Sequence, residues 1–241
     1  VRIDMGQENS IKAVFFDVDF TLIYPGKKFD GEGYRTFASR YDLSVDPLRF
    51  DEAIGLATGE LNQLKDDVYR PEPFVRYARR VLVEMGAAGA GLDRCAQDIY
   101  DEWALSEYFL LYSDVKPTFV ELYESGYLIG LISNTHRCLN SFQDYFGLGP
   151  YISAAISSSE HGYLKPHPSI FLAALDLIGV SPPQGIMVGD SVAHDVAGAQ
   201  KVGMNAVLLA RSGSRDADIG TGVPTIRALS ELPLVLSRWP R

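Results

Sequence analysis

The chain has 241 residues, of which 46% are hydrophobic and 22% charged, enough for a packed core and too apolar for a disordered chain. With 22 Lys+Arg against 31 Asp+Glu, its net charge of −9 argues against a nucleic acid polymer or an anionic membrane as the main partner. Two cysteines, Cys95 and Cys138, cannot form the framework of a disulfide-stapled domain, and no apolar stretch reaches the length of a membrane span.

The first expected strand is Ile11 to Phe16, followed by Asp17-Val18-Asp19. Asp4 and Glu8 precede it and the two aspartates interrupt it, so it does not read as a signal peptide, and a cytoplasmic protein is expected. From about Pro25 to Tyr108 there are no buried-strand runs. Amphipathic segments predict helices over roughly 29–41, 47–66, 73–85 and 92–110, separated by Asp46-Pro47, Pro71-Glu72-Pro73 and Gly86 to Gly91. Tyr100, Trp103, Tyr108 and Phe109 in the last of these are expected to pack as core.

A second strand is expected at Tyr127 to Ile132, ending in Ser133-Asn134-Thr135. Pro168 to Ile178 reads as a helix with Ile170, Phe171, Ala174, Leu175 and Ile178 on one face. A third strand, Gly185 to Val188, ends in Gly189-Asp190; a helix over about Ala193 to Val202 and a strand at Ala206 to Ala210 follow. Ser212 to Gly222 reads as loop, and Ile226 to Leu236 as a closing strand-like or helical piece. Strands alternating with helices imply an α/β fold, a doubly wound parallel sheet. The helical stretch is then an insertion after the first strand, giving a core of residues 1–24 and 109–241 and an inserted α-helical domain of residues 25–108.

In an open parallel sheet, ligands bind outside the carboxyl ends of the strands. The polar residues that gather there are Asp17, Asp19 and Thr21, Ser133, Lys165, and Asp190 with Asp195. Four clustered carboxylates repel one another without a cation, and oxygen ligands suit Mg²⁺. Lys165 and Ser133 are then left to hold an anion beside a carboxylate nucleophile, as phosphoryl transfer requires.

Four segments together resemble the haloacid dehalogenase (HAD) superfamily. Phe16-Asp17-Val18-Asp19-Phe20-Thr21-Leu22 resembles its Asp-x-Asp-x-Thr motif and Leu131-Ile132-Ser133-Asn134 its second motif. Gly162-Tyr163-Leu164-Lys165-Pro166 resembles the third, and Val188-Gly189-Asp190-Ser191 through Asp195 the fourth. The resemblance covers residues 10–24 and 110–212, and the helical insertion only by position, where a C1-type cap is implied.

The resemblance implies that Asp17 is the nucleophile of a Mg²⁺-dependent phosphatase acting on a small phosphate monoester. It implies that Asp19 is the acid and base, and that Lys165 and Ser133 hold the phosphoryl group with Asn134 and Thr21 beside it. The metal site would draw on Asp17, the backbone carbonyl of Asp19, and Asp190, with Asp195 completing the set from behind these ligands or through water. The position after the second aspartate is most often Gly in this family and is Phe20 here, which bears on the loop's conformation.

The second aspartate, Asp19, favours phosphate ester hydrolysis over dehalogenation, while a phosphomutase of the β-phosphoglucomutase type stays open. Of the insertion's lysines, Lys27, Lys28 and Lys65, none has the context of a Schiff-base residue. A receiver-like phosphorylation switch or a non-catalytic binding protein are readings from other classes, and oligomeric state is left open. His136, His161, His167 and His194 lack zinc-site spacing. His136 and Arg137, in the loop after Ser133, are candidates to touch substrate. Tyr24 to Tyr34 reads as the entry to the cap, with Lys27, Lys28, Arg35 and Arg76 as candidate anion contacts.

Overall fold

The computed structural model describes residues 10–62, 66–211 and 222–239. Lys65 and most of the expected loop, residues 212–221, lie outside the described residues. The chain divides into two compact units, one formed up to Tyr24 and from Leu111 onward, the other by Pro25–Leu110.

The first unit is built on a six-stranded sheet in the order β5-β4-β1-β6-β7-β8. Its strands are β1 (Ala13–Phe16), β4 (Leu128–Ser133), β5 (Ile152–Ser157), β6 (Gly185–Gly189), β7 (Asn205–Leu209) and β8 (Thr225–Ile226). Every neighbouring pair is parallel. All four residues of β1 and all five of β6 are buried, as expected for strands covered on both faces. Phe15 of β1 lies opposite Gly130 of β4, where a Cβ would stand 2.5 Å from the Phe15 ring.

The helices of this unit are α5 (Val115–Glu124), α6 (Leu139–Phe146), α7 (Ser158–His161), α8 (Pro168–Ile178), α9 (Ala197–Lys201) and α10 (Leu232–Ser237). In α8 the residues Ile170, Phe171, Ala174 and Leu175 are buried, Ile178 packs beside them, and Gly179 ends the helix in the left-handed region. The helix expected from Ala193 begins as a π turn, Val192–Val196, before α9. The closing piece is both expected forms in turn, β8 and then α10. Neither β5 nor the helices α5 and α6 were anticipated as elements.

The second unit holds α1 (Gly31–Ser39), α2 (Phe50–Asn62), α3 (Glu72–Glu84) and α4 (Leu92–Trp103). Asp30 caps α1 by accepting the Gly33 N–H. The fourth expected helix, 92–110, is corrected: α4 stops at Trp103, and Ser106–Tyr108 form a 3-10 turn leading into β3 (Phe109–Leu111). Trp103, Tyr108 and Phe109 instead gather around Phe29, with ring centroids 4.7, 6.2 and 5.5 Å away. Tyr100 packs separately, against Phe74. The chain leaves and re-enters the first unit through β2 (Ile23–Pro25) and β3, paired as a separate two-stranded sheet. Just beyond them the Gly26 N–H donates to the Tyr108 carbonyl at 2.8 Å. No helix of the described residues is long and apolar enough to cross a membrane.

Candidate active site

The three adjacent central strands, β4, β1 and β6, end side by side and deliver the polar residues that follow them. Asp17 continues β1, its N–H bonded to the Val188 carbonyl of β6 at 3.0 Å. The chain then turns tightly: the Leu22 N–H reaches the Val18 carbonyl at 2.8 Å, and the Phe20 N–H reaches Ile23 at 2.7 Å. Phe20 takes a φ of 64°, the left-handed region in which glycine is at ease and a side chain is not. The loop thus holds the backbone that glycine would favour, without glycine.

Lys165 is the centre of the site. It is 2% exposed, and its ammonium donates to Asp17 Oδ1 at 2.6 Å, Asp195 Oδ1 at 2.6 Å and the Ile132 carbonyl at 2.9 Å. An ammonium has three donors, and all three are used. Asp195 spends its other oxygen on the Ser191 N–H at 3.0 Å. It also lies so close over Gly189 that a Cβ there would stand 2.2 Å from Asp195 Oδ2.

Asp17, Asp190 and Asp195 can each place a carboxylate oxygen within 4.8 Å of the others, the one such group of metal-binding side chains among the described residues. Burial pushes Asp17 up from 3.8 to about 7; Lys165 opposes the rise, and Asp195 and Asp19 add to it. Burial also pushes Asp190 up to about 8, helped by Asp17 and Asp195. Burial alone would lower Lys165, but Asp17 and Asp195 hold it above its ordinary value. One lysine therefore does not neutralise three carboxylates, and a cation held by oxygen ligands fits the excess charge.

Two buried hydroxyls, Ser133 Oγ at the end of β4 and Thr21 Oγ1 in the loop after β1, have no hydrogen-bond partner among the described residues. Buried hydroxyls without partners are costly, and a ligand oxygen would satisfy them. The Thr21 carbonyl is anchored by Arg211, whose Nη2 donates to it at 2.9 Å. Arg211 also makes a two-bond contact with Asp114, 3.0 Å each, and stacks 3.7 Å over Tyr112.

Asn134, expected beside the phosphate, has a different engagement. Its amide accepts from the Lys165 N–H at 2.7 Å and donates to the Lys165 carbonyl at 3.0 Å, so it ties the Lys165 loop to the end of β4. The Asp19 side chain also stands apart from the carboxylate group, on Arg137 at 2.9 Å. Of the histidines, His161 and His167 each lie 2.7 Å from the Ser169 hydroxyl at the start of α8, and His194 lies 3.2 Å from Ser191. Arg211 is the residue this neighbourhood adds to the sequence-based set, and Arg137, expected as a candidate substrate contact, is buried against Asp19; a charged residue in a loop gives no signal that it is buried.

The model of the haloacid dehalogenase-like hydrolase family matches residues 11–203. A glyceraldehyde 3-phosphate phosphatase of Methanopyrus kandleri is 31% identical over 209 residues, 86% of this chain and 87% of that one. A ribulose-1,5-bisphosphate 5-phosphatase of Halopiger xanaduensis is 30% identical over 210 residues, 85% and 87% of the two chains. Among solved structures, YfnB of Bacillus subtilis bound to magnesium covers 95% of this chain and 99% of its own, with a TM-score of 0.69 at 19% identity. With the parallel sheet, the helical insertion and the acid–lysine centre, these matches lead to one conclusion: the chain belongs to the haloacid dehalogenase-like hydrolases.

Proposed function

We propose that this hydrolase is a Mg²⁺-dependent phosphatase that cleaves a small-molecule phosphate monoester through an aspartyl-phosphate on Asp17. The observation that carries this reading is Asp17 itself, held at 2.6 Å by a fully donated buried lysine and grouped with Asp190 and Asp195. Asp17 and Asp190 would hold the metal, with the Asp19 carbonyl and, through water, Asp195. When bound, the metal supplies positive charge that keeps Asp17 ionised and screens the incoming phosphoryl group.

The chain's own residues account for the rest. Lys165 restrains Asp17 and offsets charge that builds on the phosphoryl oxygens. The unpaired hydroxyls of Ser133 and Thr21 supply donors for those oxygens. A carboxylate oxygen of Asp17 attacks phosphorus, the bond to the ester oxygen breaks, and Asp19 gives that oxygen its proton. The Asp19 carboxylate then takes a proton from water, whose oxygen attacks the aspartyl-phosphate, releasing phosphate and restoring Asp17. Asn134, holding the Lys165 backbone, keeps the lysine in register with β4.

The helical insertion is read as a C1-type cap that closes the site and selects substrate. The names of the two relatives support a small phosphorylated sugar or aldehyde as the substrate class. Steady phosphate release from p-nitrophenyl phosphate should require Mg²⁺ and vanish in Asp17→Asn. Turnover that survives either change overturns the mechanism, and a phosphate-release screen over sugar phosphates identifies the substrate.

A further inference from the structure

Arg137 is the largest fully buried side chain of the described residues, at 1% exposed. A guanidinium out of water is costly, and apolar residues of similar size in its place are often neutral or stabilising. Stability alone therefore does not account for an arginine here. Its backbone is firmly rooted: the Arg137 N–H donates to Thr135 Oγ1 at 3.1 Å, and Thr135 is itself buried. The Thr135 carbonyl in turn accepts from the Ser158 hydroxyl at 3.3 Å and the Ser159 N–H at 3.2 Å. From this anchored loop Nη1 reaches Asp19 Oδ1 at 2.9 Å, across 118 positions of sequence.

Asp19 needs such a partner. It lies in the tight loop after β1, beside the left-handed Phe20, and its side chain is 17% exposed. Among the described residues Arg137 is the one group that fixes its carboxylate. The contact is made to Oδ1, and no hydrogen bond from the described residues is made to Oδ2.

We infer that Arg137 is a positioning residue for Asp19: its buried guanidinium holds one carboxylate oxygen so that the other faces the leaving-group oxygen. This inference rests on the phosphatase reading, in which Asp19 protonates the departing alcohol. It concerns the geometry of that transfer rather than the binding of phosphate.

The test uses two substrates that differ in their need for a proton. p-Nitrophenolate leaves readily without one, whereas an alkoxide from an alkyl phosphate such as glycerol phosphate does not. kcat/KM reports the steps through release of the alcohol, so it isolates Asp19 as acid. In Arg137→Gln, kcat/KM for the alkyl phosphate should fall on the order of 100-fold, the scale of a lost general acid, with only a few-fold change for p-nitrophenyl phosphate. In an Asp19→Asn background, Arg137→Gln should cause no further loss, because the two act as one unit. Arg137→Lys, which keeps the charge and most of the length, should recover part of the difference and carries the comparison if the glutamine variant does not fold.

Equal losses on both substrates would mark a general structural role or a direct contact with phosphate, and losses that multiply in the double variant would mark independent action; either overturns the inference. Failure of the phosphatase reading is separate. It appears in the otherwise unaltered protein, as turnover that persists in Asp17→Asn or without Mg²⁺.

Discussion

The excess of buried negative charge should make the metal-free protein less stable as pH rises. Asp17 is raised from 3.8 to about 7 and Asp190 from 3.8 to about 8, both chiefly by burial. Over that window the folded protein holds protons that the unfolded chain has released, so stability present at low pH is lost as pH climbs toward the folded values. Each group alone contributes a slope of about 1.4 kcal/mol per pH unit. Both act up to about pH 7, and Asp190 predominates over the last unit as Asp17 finishes its release. Even half of that total is several kcal/mol, against a stability of about 5–15 kcal/mol for a typical domain.

His161 works in the opposite sense, because burial and His167 lower it from 6.5, but it acts only below that value. In the interval from about pH 7 to about pH 8 Asp190 is the larger contributor, while Asp17 completes its release and Cys138, lowered from 9.0 chiefly by its hydrogen bond with Ser141, acts in the opposite sense. The measurement is denaturant unfolding of chelator-treated protein across this range, with Asp190→Asn beside it. The variant should be more stable than the parent at the alkaline end and should lose most of the slope. Added Mg²⁺ should stabilise the parent more at high pH than at low, since ligation needs ionised carboxylates, and should do little for the variant. A metal-free parent whose stability is flat or rises from neutral to alkaline pH, or an undiminished slope in Asp190→Asn, would refute the reasoning.

Three further outcomes follow from the same geometry. Lys165→Met leaves Asp17 and Asp195 without their shared partner; metal-free stability should fall by about 3–5 kcal/mol, and a loss below about 1 kcal/mol by denaturant melts would contradict the three-bond arrangement. Gly189→Ala would bring a Cβ to 2.2 Å from Asp195 Oδ2. It should cost about 1–3 kcal/mol and reduce phosphate release roughly 100-fold by displacing Asp195 from Lys165, so a variant with parental turnover counts against a fixed Asp195. At Phe20, with its φ of 64°, Gly should be favoured over Ala by about 1 kcal/mol in paired unfolding curves, and equal stability of the two variants would show no backbone strain there.

The interior strands were legible in the sequence because two-sided burial writes itself as an unbroken apolar run: β1, β4, β6 and β7 all carry one. β5 did not, since Ile152–Ser157 is an edge strand with Ser153, Ala154 and Ala155 at its middle and only its last two residues buried. The end of α4 was misplaced because Leu105, Tyr108 and Phe109 continue a helical spacing past Trp103, although they serve a turn and a strand. At the site, Asp17 and Asp190 were legible as strand-end residues, Lys165 and Asp195 through their places in the motifs, and the four do come together. What sequence cannot express is who bonds to whom. The Asn134 amide meets Lys165 across 31 positions and Arg137 meets Asp19 across 118, pairings that exist only once the sheet has aligned its strand ends.

The hydrogen bond from Gly26 to Tyr108 ties the helical insertion at its neck, directly beyond the paired strands β2 and β3. In chain-topological terms, what lies between those residues is one loop closed at its two ends. Its closure cost rises only with the logarithm of its length, roughly 0.6 kcal/mol per doubling. The insertion can therefore lengthen or shorten while the strands of the first unit keep their register. If the insertion selects substrate as proposed, selectivity can change without rebuilding the charged centre.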